Sequence, residues 1–176
     1  GLVGRKNVLA IMIQSFVSMG WTTVLWWAYG FSLCFSGDLK SGTDLAGIVG
    51  NLDWAFLRGI TLQMPSPIND GIPMIVFCAY QMMFAVITPA LITGATADRL
   101  KFSAYAVLIG VWSIVVYAPV ARWVFNPNGW IFETGALDFA GGAAIHINAG
   151  VAALAVVLVI GNRMGNHLGE RQRALQ

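Results

Sequence analysis

Charge is scarce in this sequence. Of its 176 residues only 10% are Asp, Glu, Lys or Arg, against roughly 25% in an ordinary soluble domain, while 57% are hydrophobic. A soluble domain of this length buries about 70% of its unfolded surface and still needs a polar exterior, which this composition does not supply. Lipid is the solvent that fits. Cysteine is scarce too: Cys34 and Cys78 are the only two, and they sit in or beside apolar stretches with no metal-site spacing, so they read as small buried hydrophobes. The net charge of +2 gives no ground for a nucleic-acid partner. No enzyme activity, cofactor or metal site is expected. A signal peptide is not expected either, because Arg5 and Lys6 precede an apolar span that is too long and lacks a small-residue cleavage site.

What is there is long charge-free runs. No Asp, Glu, Lys or Arg occurs over 7–37, 71–97, 102–121 or 139–162, and each gap matches the ~20 residues an α-helix needs to cross a bilayer core. Unpaired backbone groups are costly in hydrocarbon, so helices are the form such spans take. The expectation is an all-α, polytopic membrane protein, one partial domain over 1–176 with spans at 8–35, 72–96, 102–121 and 139–160. If the spans alternate in direction, one side holds Arg5, Lys6, Arg99, Lys101, Arg163, Arg171 and Arg173, and the other Lys40, Arg58 and Arg122. The positive-inside rule then assigns 1–7, 98–101 and 161–176 to the cytoplasm of a cell-membrane protein.

The first span carries Trp21, Trp26, Trp27, Tyr29 and Phe31 in its outer half, an interfacial aromatic belt. A polar connection over 37–71 follows, with a short surface helix expected at 52–57. In the second span Pro73 suits the first turn, and Pro89 removes a donor and crowds the Ala85 carbonyl, so a kink or local unwinding is expected. Tyr80 and Phe84, four residues apart, share a face. The short loop 98–101 makes the second and third helices antiparallel neighbours. The second outer connection, 122–138, brings Trp123, Phe125 and Trp130 close to carboxylates, a setting that attracts a small cation or simply anchors the interface.

The last span contains His146, eight residues beyond Asp138, hence on the order of 12 Å into a helix that starts near 139. An ionisable group buried at that depth marks a pathway, a relay or a ligand site. Three and four residues away lie Gly142, Ala143, Ala149 and Gly150, all small, which means either a close neighbouring helix or a narrow lumen. Haem or metal ligation calls for a second intramembrane histidine, and His167 lies in the polar tail. Hydrogen bonding to a small polar substrate, with proton transfer, is the favoured reading. Asp138 reads as a cap for the exposed N–H groups at the helix start.

The stretch Gly-Ala-Leu-Asp-Phe-Ala-Gly-Gly-Ala-Ala-Ile-His-Ile-Asn over 135–148 resembles the fifth-helix signature of ammonium transporters, the Amt/Mep/Rh family. Residues 1–8 resemble that family's first cytoplasmic turn, 25–35 its second helix, and 80–106 its third helix and following loop. The resemblance implies a fragment: helices two to five of a fold of about eleven, built as two inverted halves plus a last helix, with the pore between the halves. It implies that His146 is the first of two hydrogen-bonded pore histidines that relay protons. Phe84 and Tyr80 then form the phenyl gate, and Asp138 supports the substrate-recruitment site. Phe125 stands where many bacterial members have a cation-facing Trp, which keeps a ring but weakens the attraction; Trp123 or Trp130 is placed to compensate. The implied partners are ammonium or ammonia, the lipid bilayer, two further copies in a homotrimer and a cytoplasmic regulatory protein. On this reading the fragment alone does not conduct. Two other functions are consistent with the same spans: an ammonium sensor or regulatory membrane protein of the same fold, and a membrane assembly subunit in which His146 only bonds helices together.

Overall fold

The computed structural model describes residues 7–38, 42–97 and 99–161. Four helices among these are long and apolar enough to cross a membrane: α1 (Val8–Phe35), α2 (Met74–Thr96), α3 (residues 102–125) and α4 (Gly142–Ile160). There is no β-strand among the described residues; two isolated bridges, Leu45 with Val49 and Pro65 with Pro73, fasten turns of the first connection. The expectation of a cytoplasmic side falls largely on 1–6, 98 and 162–176, outside the described residues. Arg99 Nη1 donates to the Gly161 carbonyl at 2.7 Å, which joins the end of α2 to the end of α4.

The buried face of α1 is polar. Over Val8–Leu25 its buried residues are Gln14, Ser18 and Thr22, spaced by four and therefore on one face. Large apolar residues such as Leu9, Phe16 and Val24 point outward. Water-soluble helices do the reverse. With lipid as solvent, apolar side chains gain nothing by leaving it, and packing plus interhelical hydrogen bonds hold helices together instead. Trp21 Nε1 donates to the Ala106 carbonyl of α3 at 3.2 Å, and Trp26 Nε1 to the Cys78 carbonyl of α2 at 3.2 Å.

Three of the four helices contain a turn wound to i→i+5 bonding: Trp26–Gly30 in α1, Ser113–Tyr117 in α3 and Gly142–Ile147 in α4. The turn in α3 ends two residues before Pro119, which has no N–H to give, and the helix continues to Phe125. The third helix thus runs past the expected end at 121, and Arg122, expected in the outer loop, is fully buried within it. In α2 the unwinding expected at Pro89 does not occur. The helix is unbroken from Met74 to Thr96, and the Thr88 and Thr93 hydroxyls bond back to the Phe84 and Ala90 carbonyls. Nor do α2 and α3 pack mainly on each other: α2 lies against α1 and α4, and the Phe102–Trp112 part of α3 against α1. The surface helix expected at 52–57 is only a 3₁₀ turn, Ala55–Leu57, with Phe56 and Leu57 at positive φ. Rings hold this loop down, Trp54 stacking on Phe31 at 5.9 Å and Phe56 meeting Trp27 edge-on at 4.9 Å.

The first connection is pinned at Gly50, whose N–H donates to the Leu33 carbonyl at 2.6 Å. A Cβ there would stand 2.3 Å from the Ser36 oxygen and 2.7 Å from that of Ser32, both backbone atoms. Gly50→Ala is expected to cost about 1–3 kcal/mol through overpacking, read as a lower thermal-unfolding midpoint in detergent. Gly20→Ala, where a Cβ meets nothing within 4 Å, is expected to hold or raise that midpoint, since Gly inside a helix is less favourable than Ala by roughly 0.5–1 kcal/mol.

Candidate functional site

The site begins at the head of α4. Gly141 sits at φ 77°, a left-handed conformation that costs Gly little, and a Cβ there would come 2.1 Å from Ile145 Cδ1. Its carbonyl accepts from the N–H groups of both Ile145 and His146, each at 3.0 Å, so the ladder changes from four-residue to five-residue bonding at His146. Asp138 stands outside the helix and reaches back to it: Oδ2 accepts from the Ala143 N–H at 3.1 Å and the Ala144 N–H at 2.9 Å. Two of the unpaired donors at a helix start are satisfied in this way, by a charge at the positive end of the helix.

The helix starts at Gly142, three residues later than expected, so His146 is four residues, about 6 Å, inside it rather than 12 Å. Within this chain no neighbouring element covers its side chain. Ala144, Ile145 and Ala149 take the buried side, and Asn148, Ala152 and Val156 are partly buried. That side packs against α2, so His146 is on the face of α4 turned away from it, with Gly142, Ala143, Ile147 and Gly150 also exposed there. Among the described residues no group of three or more His, Cys, Asp or Glu is arranged to hold a metal ion.

The three rings picked out by the sequence meet. Tyr80 contacts Phe84 edge-on with centroids 5.3 Å apart, and Phe84 stacks on Phe125 at 5.6 Å with 28° between the planes. Tyr80 is 61% exposed, while Phe125 is only 7% exposed. The face that Phe125 would offer to a cation is thus shared with Phe84. Gln81, next to Tyr80 in sequence, is buried. Trp123 and Trp130, the alternative cation-facing rings, pair with each other at 6.1 Å. The turn Gly142–Ile147 touches both α2 and the Ala118–Phe125 segment of α3, so the helices that carry the rings and the turn that carries His146 converge.

Sequence reasoning missed Arg122 and Asp44. Arg122 is completely buried, and its Nη2 lies 2.8 Å from Asp44 Oδ2, whose side chain is 1% exposed. It also donates from Nη1 to the Ser36 carbonyl at 2.8 Å and from Nη2 to that of Gly37 at 3.2 Å. Four residues on, Asn126 Nδ2 donates to the Cys34 carbonyl at 2.9 Å. Arg122 at the edge of an apolar span looked like a boundary marker, and its partner is 78 positions away, so no local signal paired them.

Comparison with known proteins places these observations. A model of the Ammonium Transporter Family matches residues 1–176. An ammonium transporter of Mycobacterium tuberculosis is 43% identical over 188 residues, covering 94% of this chain and 38% of its own length. The ammonium transporter Amt1 of Archaeoglobus fulgidus is 42% identical over 165 residues, with the same two coverages, 94% and 38%. Among solved structures, Saccharomyces cerevisiae Mep2 superposes with a TM-score of 0.78 at 33% identity, covering 86% of this chain and 33% of that one. A truncated Candida albicans Mep2 mutant gives 0.78 at 36% identity, covering 90% of this chain and 38% of the mutant. The chain thus spans less than two-fifths of the length of these relatives.

Proposed function

The chain belongs to the ammonium transporter family, and on that premise we propose that it forms one wall of a path along which ammonium or ammonia crosses the membrane. The observation that carries this reading is the convergence of three elements. The turn bearing His146 packs against the helices bearing Tyr80, Phe84 and Phe125, and His146 stands on an open face lined by Gly142, Ala143 and Gly150. Such a face gives a narrow passage with one polar group on its wall.

In this reading a cation is drawn to the mouth by ring faces and by the field of Asp138. Ring faces contribute roughly 0.5–2 kcal/mol. Tyr80, the most open of the three rings, offers most of that surface, and Phe125 holds Phe84 in place with its stacked face. Phe84 and Tyr80 together form the gate. Beyond it the substrate gives up a proton, and His146 hydrogen-bonds the neutral species and takes part in the proton relay. Asp138 does its share through the two N–H groups it satisfies, because a carboxylate so engaged acts on the cation by its field and not by ligation. The complete protein works as a homotrimer in the cell membrane, with residues 1–7, 98–101 and 161–176 of this chain on the cytoplasmic side, where a regulatory protein acts.

The test is uptake of radiolabelled methylammonium by cells without ammonium transport of their own that express the complete protein. Saturable uptake competed by ammonium is the expected result. Uptake no higher than in cells carrying an empty vector, with the protein present in the membrane, would overturn the proposal. Phe84→Ala in the same cells is expected to leave uptake measurable but to admit larger amines, seen as weakened discrimination between methylammonium and dimethylammonium; unchanged discrimination would remove Phe84 from the gate.

A further inference from the structure

We propose that Arg122 and Asp44 form a positioning clamp for the extracellular mouth, fixing the end of α3 and with it the Phe125–Phe84 stack. The inference rests on the transport reading above and extends it to residues that touch no substrate. Three observations carry it. Arg122 lies one helical turn before Phe125, so the two share a side of α3. Its guanidinium has no solvent exposure and is held by the Asp44 carboxylate and by three carbonyls at the end of α1, those of Cys34, Ser36 and Gly37. Asn126, the residue after Phe125, is 2% exposed and ties the same helix end to the Cys34 carbonyl. Phe125 is thereby bracketed by two buried anchors, both fastened to the outer end of α1.

A fully buried ion pair is a poor device for stability alone, because desolvation offsets most of the attraction and apolar residues of the same volume often serve as well. The forked geometry of Arg instead fixes direction, since its donors lie in one plane. Charge matters as well. A bare guanidinium about one turn from the mouth would repel an arriving cation, and Asp44 cancels it. Asp44 comes from the first connection, so that loop, remote in sequence from Phe125, is a structural part of the mouth.

The experiment measures the concentration dependence of methylammonium uptake by the complete protein, normalised to the amount in the membrane. Asp44→Asn keeps the shape and removes the charge. It is expected to raise KM roughly tenfold, the scale of one unscreened charge acting over about one helical turn at an effective dielectric between protein and water, with Vmax per molecule nearly unchanged. A purely structural role would lower the amount of protein and leave KM alone, and that result would overturn the proposal. Combined with Phe125→Ala, the Asp44→Asn effect should shrink, because both changes act on one element; full additivity would count against the clamp. If Asp44→Asn does not reach the membrane, Arg122→Lys, which retains the charge and loses the fork, should raise KM several-fold, and an unchanged KM there overturns the proposal equally. Asp70→Asn, an exposed carboxylate of the same connection, serves as the control. Absence of wild-type uptake would defeat the transport reading itself, whereas wild-type uptake with an unaltered KM in Asp44→Asn defeats only the clamp.

Discussion

His146→Ala in the complete protein is expected to reduce methylammonium uptake by about 10²–10⁴-fold, the contribution typical of a positioned acid–base group. The substitution is well placed to separate function from folding. His146 is exposed on the outward face of α4, and the residues that hold α4 to α2, namely Ala144, Ile145 and Ala149, are its neighbours on the other side. Truncation there removes no packing within this chain, so the protein is expected to accumulate in the membrane at its normal level. Its backbone N–H, which donates to the Gly141 carbonyl, is retained by Ala. The loss then falls on transport alone. If the imidazole only bonds helices together, the alanine variant would show reduced assembly with normal uptake per molecule, and that pair of results would sink the relay. Charged current in His146→Ala without net uptake of the neutral species would keep the path and remove the proton-transfer role.

The helical architecture was legible because lipid leaves a simple record. A span must be long, apolar and uncharged, and four such runs were visible at once. The ends were less legible. Charge was read as a boundary, yet Arg122 lies inside α3, where Asp44 and the Ser36 and Gly37 carbonyls replace water. A buried cation with a distant partner cannot be told from a surface one by its neighbours in sequence. The five-residue turns were illegible for a related reason. They lie beside Pro119, which lacks a donor, and the left-handed Gly141, and neither residue type by itself announces a change from four-residue to five-residue bonding. The polar stripe of Gln14, Ser18 and Thr22 was readable in principle, since a four-residue period of polar groups in a charge-free span marks the face that meets other helices. At the site, the shared face of Tyr80 and Phe84 followed from spacing. Their junction with Phe125 needed the fold, because nothing local links α2 to the end of α3. His146 was found by its chemistry, but its depth was overestimated because the chain from Phe139 to Gly141 is not yet helix.

That late helix start makes Asp138 the second residue with a large expected effect. Asp138→Ala leaves the Ala143 and Ala144 N–H groups without the acceptor they now share at 3.1 and 2.9 Å. Hydrogen bonds to a charged group contribute roughly 1.5–3 kcal/mol each, and water replaces part of this at an exposed helix end, which leaves a local cost of about 2–3 kcal/mol, or on the order of 10² in the equilibrium constant between the ordered and the unwound turn. Because the turn starts at Gly141, a residue whose conformation offers little resistance to unwinding, the cost is concentrated on Gly142–Ile147 and moves His146 away from the wall. Uptake by Asp138→Ala should therefore fall by about 10²-fold, with faster hydrogen exchange confined to the amides of that turn. Asp138→Asn distinguishes capping from field. An amide oxygen still accepts from the two N–H groups, so if the cap is the main role this variant keeps the slow exchange and loses only about tenfold in uptake, the part due to charge. Were Asp138 instead acting solely through its field on the cation, Asn and Ala would be equally harmful and the exchange of both would match that of the unaltered protein. Equal uptake by the two variants together with undisturbed exchange at Ala143 and Ala144 would thus refute the positioning role, and the link from Asp138 to His146 would have to be given up.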